Sequence, residues 1–184
     1  MTAPSFEEFL ALSVDLTAFE STALLGTGMA DQYLAKVRAA CGDEAVVALL
    51  EAHRAARADA AGAAGSHRQT PPDRTTLDRT PVDTDVFDRA LRHRIFSDDR
   101  LGPVARNVIK LWYSGMWYSL PPEWTDQYGA RAAGETSTVT AASYQEGLLW
   151  QAIGANPPGA RAPGYGAWAQ PPRIEDRYLK GATT

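Results

Sequence analysis

Three histidines, one cysteine and a scatter of aspartates are the residues of this 184-residue chain that could ligate a metal, attack a substrate or move a proton. His53, His67 and His93 stand too far apart to share a helical face, and no HxxxH, HExxH or CxxC spacing occurs, so a metal site has no local pattern to rest on. His53 lies on an apolar helical face, where a packed, hydrogen-bonded histidine is a simpler reading than a ligand or base. Cys41 is the only thiol and so the candidate nucleophile, yet it too falls on an apolar stripe, which fits a small hydrophobe. Asp83, Asp85, Asp98 and Asp99 stand where helices begin or loops turn, positions at which aspartate caps backbone amides. Gly26-Thr27-Gly28 resembles the start of a dinucleotide loop, but such a loop follows a strand and this one follows a helix, so the glycines point to a bend or a close backbone approach. The aromatic group Trp112, Tyr113, Trp117, Tyr118 and Trp124 would suit sugar stacking in an open cleft, whereas its helical spacing points to burial. No nucleophile, base and oxyanion donor come together.

Composition narrows the class further. An apolar fraction of 45% and a charged fraction of 22% are those of a globular protein with one hydrophobic core. A net charge of -4, from 18 Lys+Arg against 22 Asp+Glu, offers no basic stripe to displace counterions from nucleic acid. One cysteine permits no intrachain disulfide, which leaves the redox compartment open. No apolar run approaches the twenty or so residues that span a bilayer. The first twenty residues carry four carboxylates, and no Lys or Arg precedes Lys36, so neither a secretory nor a twin-arginine signal is expected.

The elements that must position these residues read as helices throughout. Ser5-Phe6-Glu7-Glu8 is a capping box that starts a first helix with Phe6, Phe9 and Leu10 on its buried face. Thr17-Ala18-Phe19-Glu20 repeats the pattern and predicts a second helix, in which Leu25, Met29, Tyr33, Val37 and Cys41 recur every four residues until Gly42. Asp43 opens a third, with Val46, Leu49, Leu50 and His53 on one face, expected to fray in the Ala/Arg-rich segment near Arg57. Residues 62–83 read as an exposed loop broken by Pro71, Pro72 and Pro81. Asp83 or Thr84 opens a fourth helix with Phe87, Leu91 and Ile95 stacked, and Pro103 sits in the first turn of a fifth that runs to Tyr118. That fifth helix is apolar nearly all round, as a helix buried on every side must be. After Pro121-Pro122 comes a Gly/Ala/Ser/Thr-rich stretch anchored by Trp124 and Tyr128, then a sixth helix from a box at Ser143-Tyr144-Gln145-Glu146 to Gly154. With no alternating strand pattern, the fold class is all-α, with six helices over residues 1–153 and an extended Pro/Gly-rich arm and tail over 154–184. The arm keeps Tyr165 and Trp168, large aromatics that need a surface to cover them. Either the arm wraps its own domain or it docks on a partner.

Four stretches carry a family resemblance. They are Phe6 to Ser13 with Leu16-Thr17-Ala18-Phe19, then IKLWYSGMWY (Ile109 to Tyr118), SYQEGLLWQAIGA (Ser143 to Ala155) and PPGARAPGYGAWAQPP (Pro157 to Pro172). In this order they resemble the small subunit of membrane-associated, FAD-dependent sugar and polyol dehydrogenases, the group of sorbitol, fructose and glucose dehydrogenase small subunits, similar also to that of gluconate dehydrogenase. The resemblance implies a non-catalytic accessory subunit with no cofactor, metal or catalytic residue of its own. The partner it implies is a flavoprotein large subunit of the glucose-methanol-choline type carrying FAD, in some members with an iron-sulfur cluster, and a multihaem cytochrome c that supplies haem c. Membrane association would then come through the partners. The positions that match the motifs, and are expected to touch the large subunit, are Trp112, Tyr113, Trp117, Tyr118, Trp150, Pro157, Pro158, Pro163, Tyr165 and Trp168. In the family the small subunit often carries the twin-arginine signal for export. Without one the chain as written is expected in the cytoplasm, and following the family would place it on the periplasmic face of the inner membrane. The alternative reading is a self-contained helical module that binds a peptide or ligand. A third, a sugar-oxidising enzyme in its own right, lacks any flavin or NAD fingerprint.

Overall fold

The computed structural model describes residues 5–66, 83–129 and 131–160, and 72% of the described chain is helical against 3% strand, an all-α protein. Helix α1 (Phe6–Thr17) starts where the capping box places it: Ser5 Oγ accepts from the Glu8 amide at 3.1 Å, and the Ser5 hydroxyl meets the Glu8 carboxylate at 2.9 Å. Thr17, expected to cap a second helix, instead closes the first. Its hydroxyl donates to the Ser13 carbonyl at 2.7 Å and accepts from the Phe19 amide at 3.3 Å, while Ala18 takes the left-handed φ of 60°. Buried on the inner side of α1, Thr17 has no free oxygen to offer a following helix.

The helix expected up to Cys41 is two, α2 (Ser21–Gly26) and α3 (Ala30–Cys41). Thr27 makes the break: its hydroxyl donates to the Leu24 carbonyl at 2.7 Å and accepts from the Met29 amide at 3.1 Å. Met29, Tyr33, Val37 and Cys41 keep the buried face of α3, whereas Leu25, on the far side of the break, is 48% exposed. Helix α4 (Asp43–Ser66) does not fray at Arg57. Its core stripe continues in alanine, with Ala56 and Ala60 fully buried where α5 packs on α4. The first residues of the stretch read as a loop, as far as Ser66, are thus helical, and residues 67–82 lie outside the described residues.

Helix α5 (Thr84–Leu91) is capped by Asp83, whose Oδ1 accepts from the Val86 amide at 3.1 Å, and runs on into a π turn (Arg92–Phe96) that buries Ile95. Asp98 holds the next start, accepting from the Arg100 and Leu101 amides at 2.9 and 2.8 Å. Helix α6 (Leu101–Ser114) is the centre of the fold, packed by α1, α3, α4, α9 and the π turn. Its Val104, Val108, Leu111 and Trp112 are fully buried, and Trp112 meets the ring of Tyr33 edge-on at 4.8 Å. Burial is not all round, since Arg106 and Lys110 are exposed.

The expectation that this helix reaches Tyr118 fails at Gly115, which turns to φ 70° and stops it. Met116–Trp117 then forms β1, paired antiparallel with β2 (Ser137–Thr138) in the register Met116↔Thr138 and Trp117↔Ser137. A short helix α7 (Pro122–Tyr128) with Pro122 in its first turn and a 3₁₀ turn (Ala132–Gly134) lie in the Gly/Ala/Ser/Thr-rich stretch. Lys36 of α3 ties that stretch down, donating to the Ala133 carbonyl at 2.7 Å and to Ser137 Oγ at 3.1 Å. The sixth predicted helix is two, α8 (Ala141–Gln145) and α9 (Leu148–Ala152), split at Gly147. Its capping box lies three residues earlier than predicted, with Thr140 as cap and Ser143 as reciprocal partner at 3.1 and 3.0 Å. No helix among the described residues is long and apolar enough to cross a membrane.

Candidate docking site

The last turn of α6 is where the first three motif stretches meet. Tyr113 sits there with its ring edge-on to Phe19 at 5.9 Å, and its hydroxyl donates to the Thr17 carbonyl at 3.1 Å, which joins α6 to the end of α1. The Tyr113 carbonyl also faces Gly147: a Cβ at Gly147 would lie 2.7 Å from it, so glycine is the residue that lets the α8–α9 turn come this close. Two residues on, the Gly115 carbonyl accepts from Ser143 Oγ at 2.8 Å and from the Val139 amide at 3.1 Å. A Cβ on Gly115 would collide with the backbone of Ser143.

On the outer side of this junction lies an aromatic step. Trp150 donates its indole N–H to the Tyr144 carbonyl at 2.8 Å, and the two rings stand edge to face at 5.4 Å. The chain then folds back over them. The Ala155 amide donates to the Trp150 carbonyl at 2.9 Å, Pro157 is buried, and Tyr144 Oη donates to the Pro158 carbonyl at 3.4 Å. Pro157 and Pro158, near the start of the Pro/Gly-rich segment, thus lie against the helical domain.

Of the ten expected contact positions, Trp112 and Trp117 have no exposed surface and cannot touch another chain in this conformation. A domain this small spends its largest apolar side chains on its own core. Trp117 is further committed by its indole N–H, which donates to the Gly134 carbonyl at 3.2 Å. Tyr113, Trp150 and Pro158 are half-buried, as is Tyr118, whose backbone is held on both sides by Asn107 at 2.8 and 3.3 Å and whose ring faces Lys110 at 5.0 Å. Pro163, Tyr165 and Trp168 lie outside the described residues.

The residues with chemical potential are held in structural roles. His53 Nε2 and Arg57 reach the same Oδ2 of Asp15, at 2.7 and 2.6 Å, with the Asp15 and His53 side chains 2% and 5% exposed. Burial pushes the Asp15 carboxyl up, but the His53 hydrogen bond and the Arg57 charge outweigh it and hold the group below its ordinary value. This is the packed, hydrogen-bonded histidine read from the sequence. The partner was not legible there, because Asp15 stands 38 residues away. Burial pushes the Cys41 thiol up to about 12, offset only in part by Arg131. Cys41 is accordingly expected to stay unmodified by an aromatic disulfide reagent at pH 8 in the native state and to react in urea, at a rate that follows unfolding. Trp124 is buried and donates to the Arg100 carbonyl at 2.8 Å, so it and the core tryptophans present no open stacking platform. No group of three His, Cys, Asp or Glu side chains suited to a metal occurs among the described residues.

Two open hollows flank Arg131. One, of about 450 Å³, lies between the Ala35–Ala39 side of α3 and Asp43; the other, of about 410 Å³, has Leu120 and Trp124 in its wall with Thr125 and Glu135. No family model matches the chain, nor does any curated protein or solved structure.

Proposed function

We propose that this chain is a non-catalytic accessory small subunit that binds and stabilises the flavoprotein large subunit of an FAD-dependent sugar or polyol dehydrogenase. The observation that supports this reading is the convergence at the end of α6. The first three stretches that carry the family resemblance are far apart in sequence, yet Thr17 and Phe19, Tyr113 and Gly115, and Ser143 and Gly147 are joined there by direct contacts, and Tyr144 links the third stretch to Pro158 of the fourth. Such a junction builds one rigid platform from which the C-terminal segment departs. FAD, and in some complexes an iron-sulfur cluster and haem c, then belong to the partners. A partner that binds only the folded flavoprotein stabilises it by mass action, by about 2.7 kcal/mol at a hundred times the Kd.

Co-expression of the flavoprotein with and without this chain tests the reading. Soluble yield and bound flavin are expected to rise several-fold with the chain present; equal values in the two cultures refute it. A self-contained ligand-binding module is the second reading, favoured by the 410 Å³ hollow beside Arg131, a volume within the range of small-molecule sites.

A further inference from the structure

Arg131 is laid over a place in the backbone where only glycine leaves room for it. Its carbonyl accepts from the Gly134 amide at 2.8 Å, and the turn so formed is tied to α3 by Lys36, which donates to the Ala133 carbonyl at 2.7 Å. The side chain then reaches Gly42, between α3 and α4. A Cβ at Gly42 would stand 2.6 Å from Nη2 of the guanidinium and 3.1 Å from its central carbon. Among the described residues the Arg131 side chain makes no ion pair and no hydrogen bond, whereas Arg38, Arg54, Arg57, Arg94 and Arg100 are each paired with a carboxylate.

The 450 Å³ hollow at this seat is lined by Arg38, Asp43 and Arg131, with Ala35, Ala39 and Gly42 completing its wall. Arg38 spends Nε and Nη2 on the two Asp43 oxygens, at 2.7 and 3.1 Å. The Asp43 carboxyl is held below its ordinary value chiefly by those bonds, with a smaller share from the Arg131 charge, which places the second guanidinium close to the same carboxylate. Two cations against one anion leave the hollow with a net charge of +1. The nearby Arg100 and Glu44 cancel each other at 3.0 Å, and Glu135 lines the other hollow and not this one.

A guanidinium presents parallel N–H donors that match the two oxygens of a carboxylate, and Arg131 has its donors uncommitted. One unit of uncompensated charge favours a monoanion over a dianion, which Asp43 would repel more strongly. The wall beyond the charges is two methyl groups and a glycine, so the body of the ligand meets apolar surface, and the volume lies in the range of small-molecule sites. We infer that the hollow between Arg38, Asp43 and Arg131 is a binding site for the carboxylate of a small organic acid, which Arg131 holds through its guanidinium. This goes beyond the accessory-subunit reading and does not depend on it.

Calorimetric titration of the full chain with benzoate, at an ionic strength of about 0.02 M so that exposed charges are little screened, tests the site. Saturable binding of one benzoate is expected. Arg131→Gln should weaken it about ten-fold or more, as loss of a charge-assisted pair of hydrogen bonds does. Arg131→Lys, which keeps the charge but not the fork, should weaken it about three-fold or more. Asp43→Asn should tighten it about two-fold or more, because the competing carboxylate is gone. The melting temperature of the Arg131 variants should stay within about 2 °C of the native chain, since the side chain is exposed. If Arg131→Gln melts lower than that, the opposite signs expected for Arg131→Lys and Asp43→Asn decide. Absence of saturation with benzoate, equal binding by the Arg131 variants, or weaker binding by Asp43→Asn overturns the inference. Tighter binding of inorganic phosphate than of benzoate, or equal binding of neutral benzamide, overturns it as well, since the hollow would then not select a carboxylate. None of these outcomes involves the flavoprotein, so the co-expression result stands or falls separately.

Discussion

Asp15→Asn is expected to lower the free energy of unfolding by about 3 kcal/mol, the low end of what breaking a buried ion pair costs. The carboxylate is almost completely enclosed and one oxygen, Oδ2, takes both the His53 and the Arg57 hydrogen bonds, which clamp α4 onto α1. Asparagine keeps the volume but removes the charge that offsets the guanidinium. The low end applies because Arg57 is 29% exposed and can turn part of its charge to water. Urea denaturation of the two proteins measures the difference, and Glu8→Gln is the control. Glu8 pairs with Arg54 at the surface, where a lost ion pair costs under about 1 kcal/mol. The pH dependence follows from the direction of the Asp15 shift. Its folded pKa lies below the ordinary 3.8, so its contribution is complete above that value and is lost as the pH falls through the folded pKa. The stability difference between native chain and Asp15→Asn should therefore hold from neutral pH down to about 4 and close below it. A difference that stayed constant down to pH 2 would show that the carboxylate charge is not what clamps the helices.

What could be read from the sequence was local, and what escaped it depended on distance in the chain. The Ser5 box and the Asp83 cap are settled within four residues, and both appear in the structure where the sequence puts them. The Thr17 pattern meets the same local rule but is overruled, since its hydroxyl bonds back to the Ser13 carbonyl within α1 while its own carbonyl accepts from Tyr113 of α6. The alanine face of α4 was unreadable because a methyl group scores as neutral until the neighbouring helix is known to be near enough to need it. Aromatic residues carry a related ambiguity. Trp112 and Trp117 suit a core and an interface equally well by type, and only their complete burial assigns them to the core.

Glycine is where the fold and the docking junction depend on one atom, and a comparison of two glycines isolates it. Gly115 and Gly154 both adopt left-handed backbone, at φ 70° and 65°, so alanine at either costs about 1 kcal/mol in conformation alone. Around Gly154 nothing lies within 4 Å of the added methyl group, whereas at Gly115 it would collide with the Ser143 backbone, which is held by its own capping box and cannot swing away like a side chain. Overpacking of that kind adds about 2 kcal/mol, so Gly115→Ala is expected to lose about 3 kcal/mol in urea denaturation and Gly154→Ala about 1. The larger loss also has a location. Pushing Ser143 outward breaks its bond to the Gly115 carbonyl and separates α8 from α6, carrying with it the Tyr144–Trp150 step on which residues 155–158 lie. Gly115→Ala should therefore speed proteolysis after residue 140 at temperatures where the rest of the chain remains folded and, on the accessory-subunit proposal, weaken the complex there as well. Equal stability of the two variants would mean that the contact between Gly115 and Ser143 yields without cost, and that the α8–α9 unit is not fixed by the end of α6.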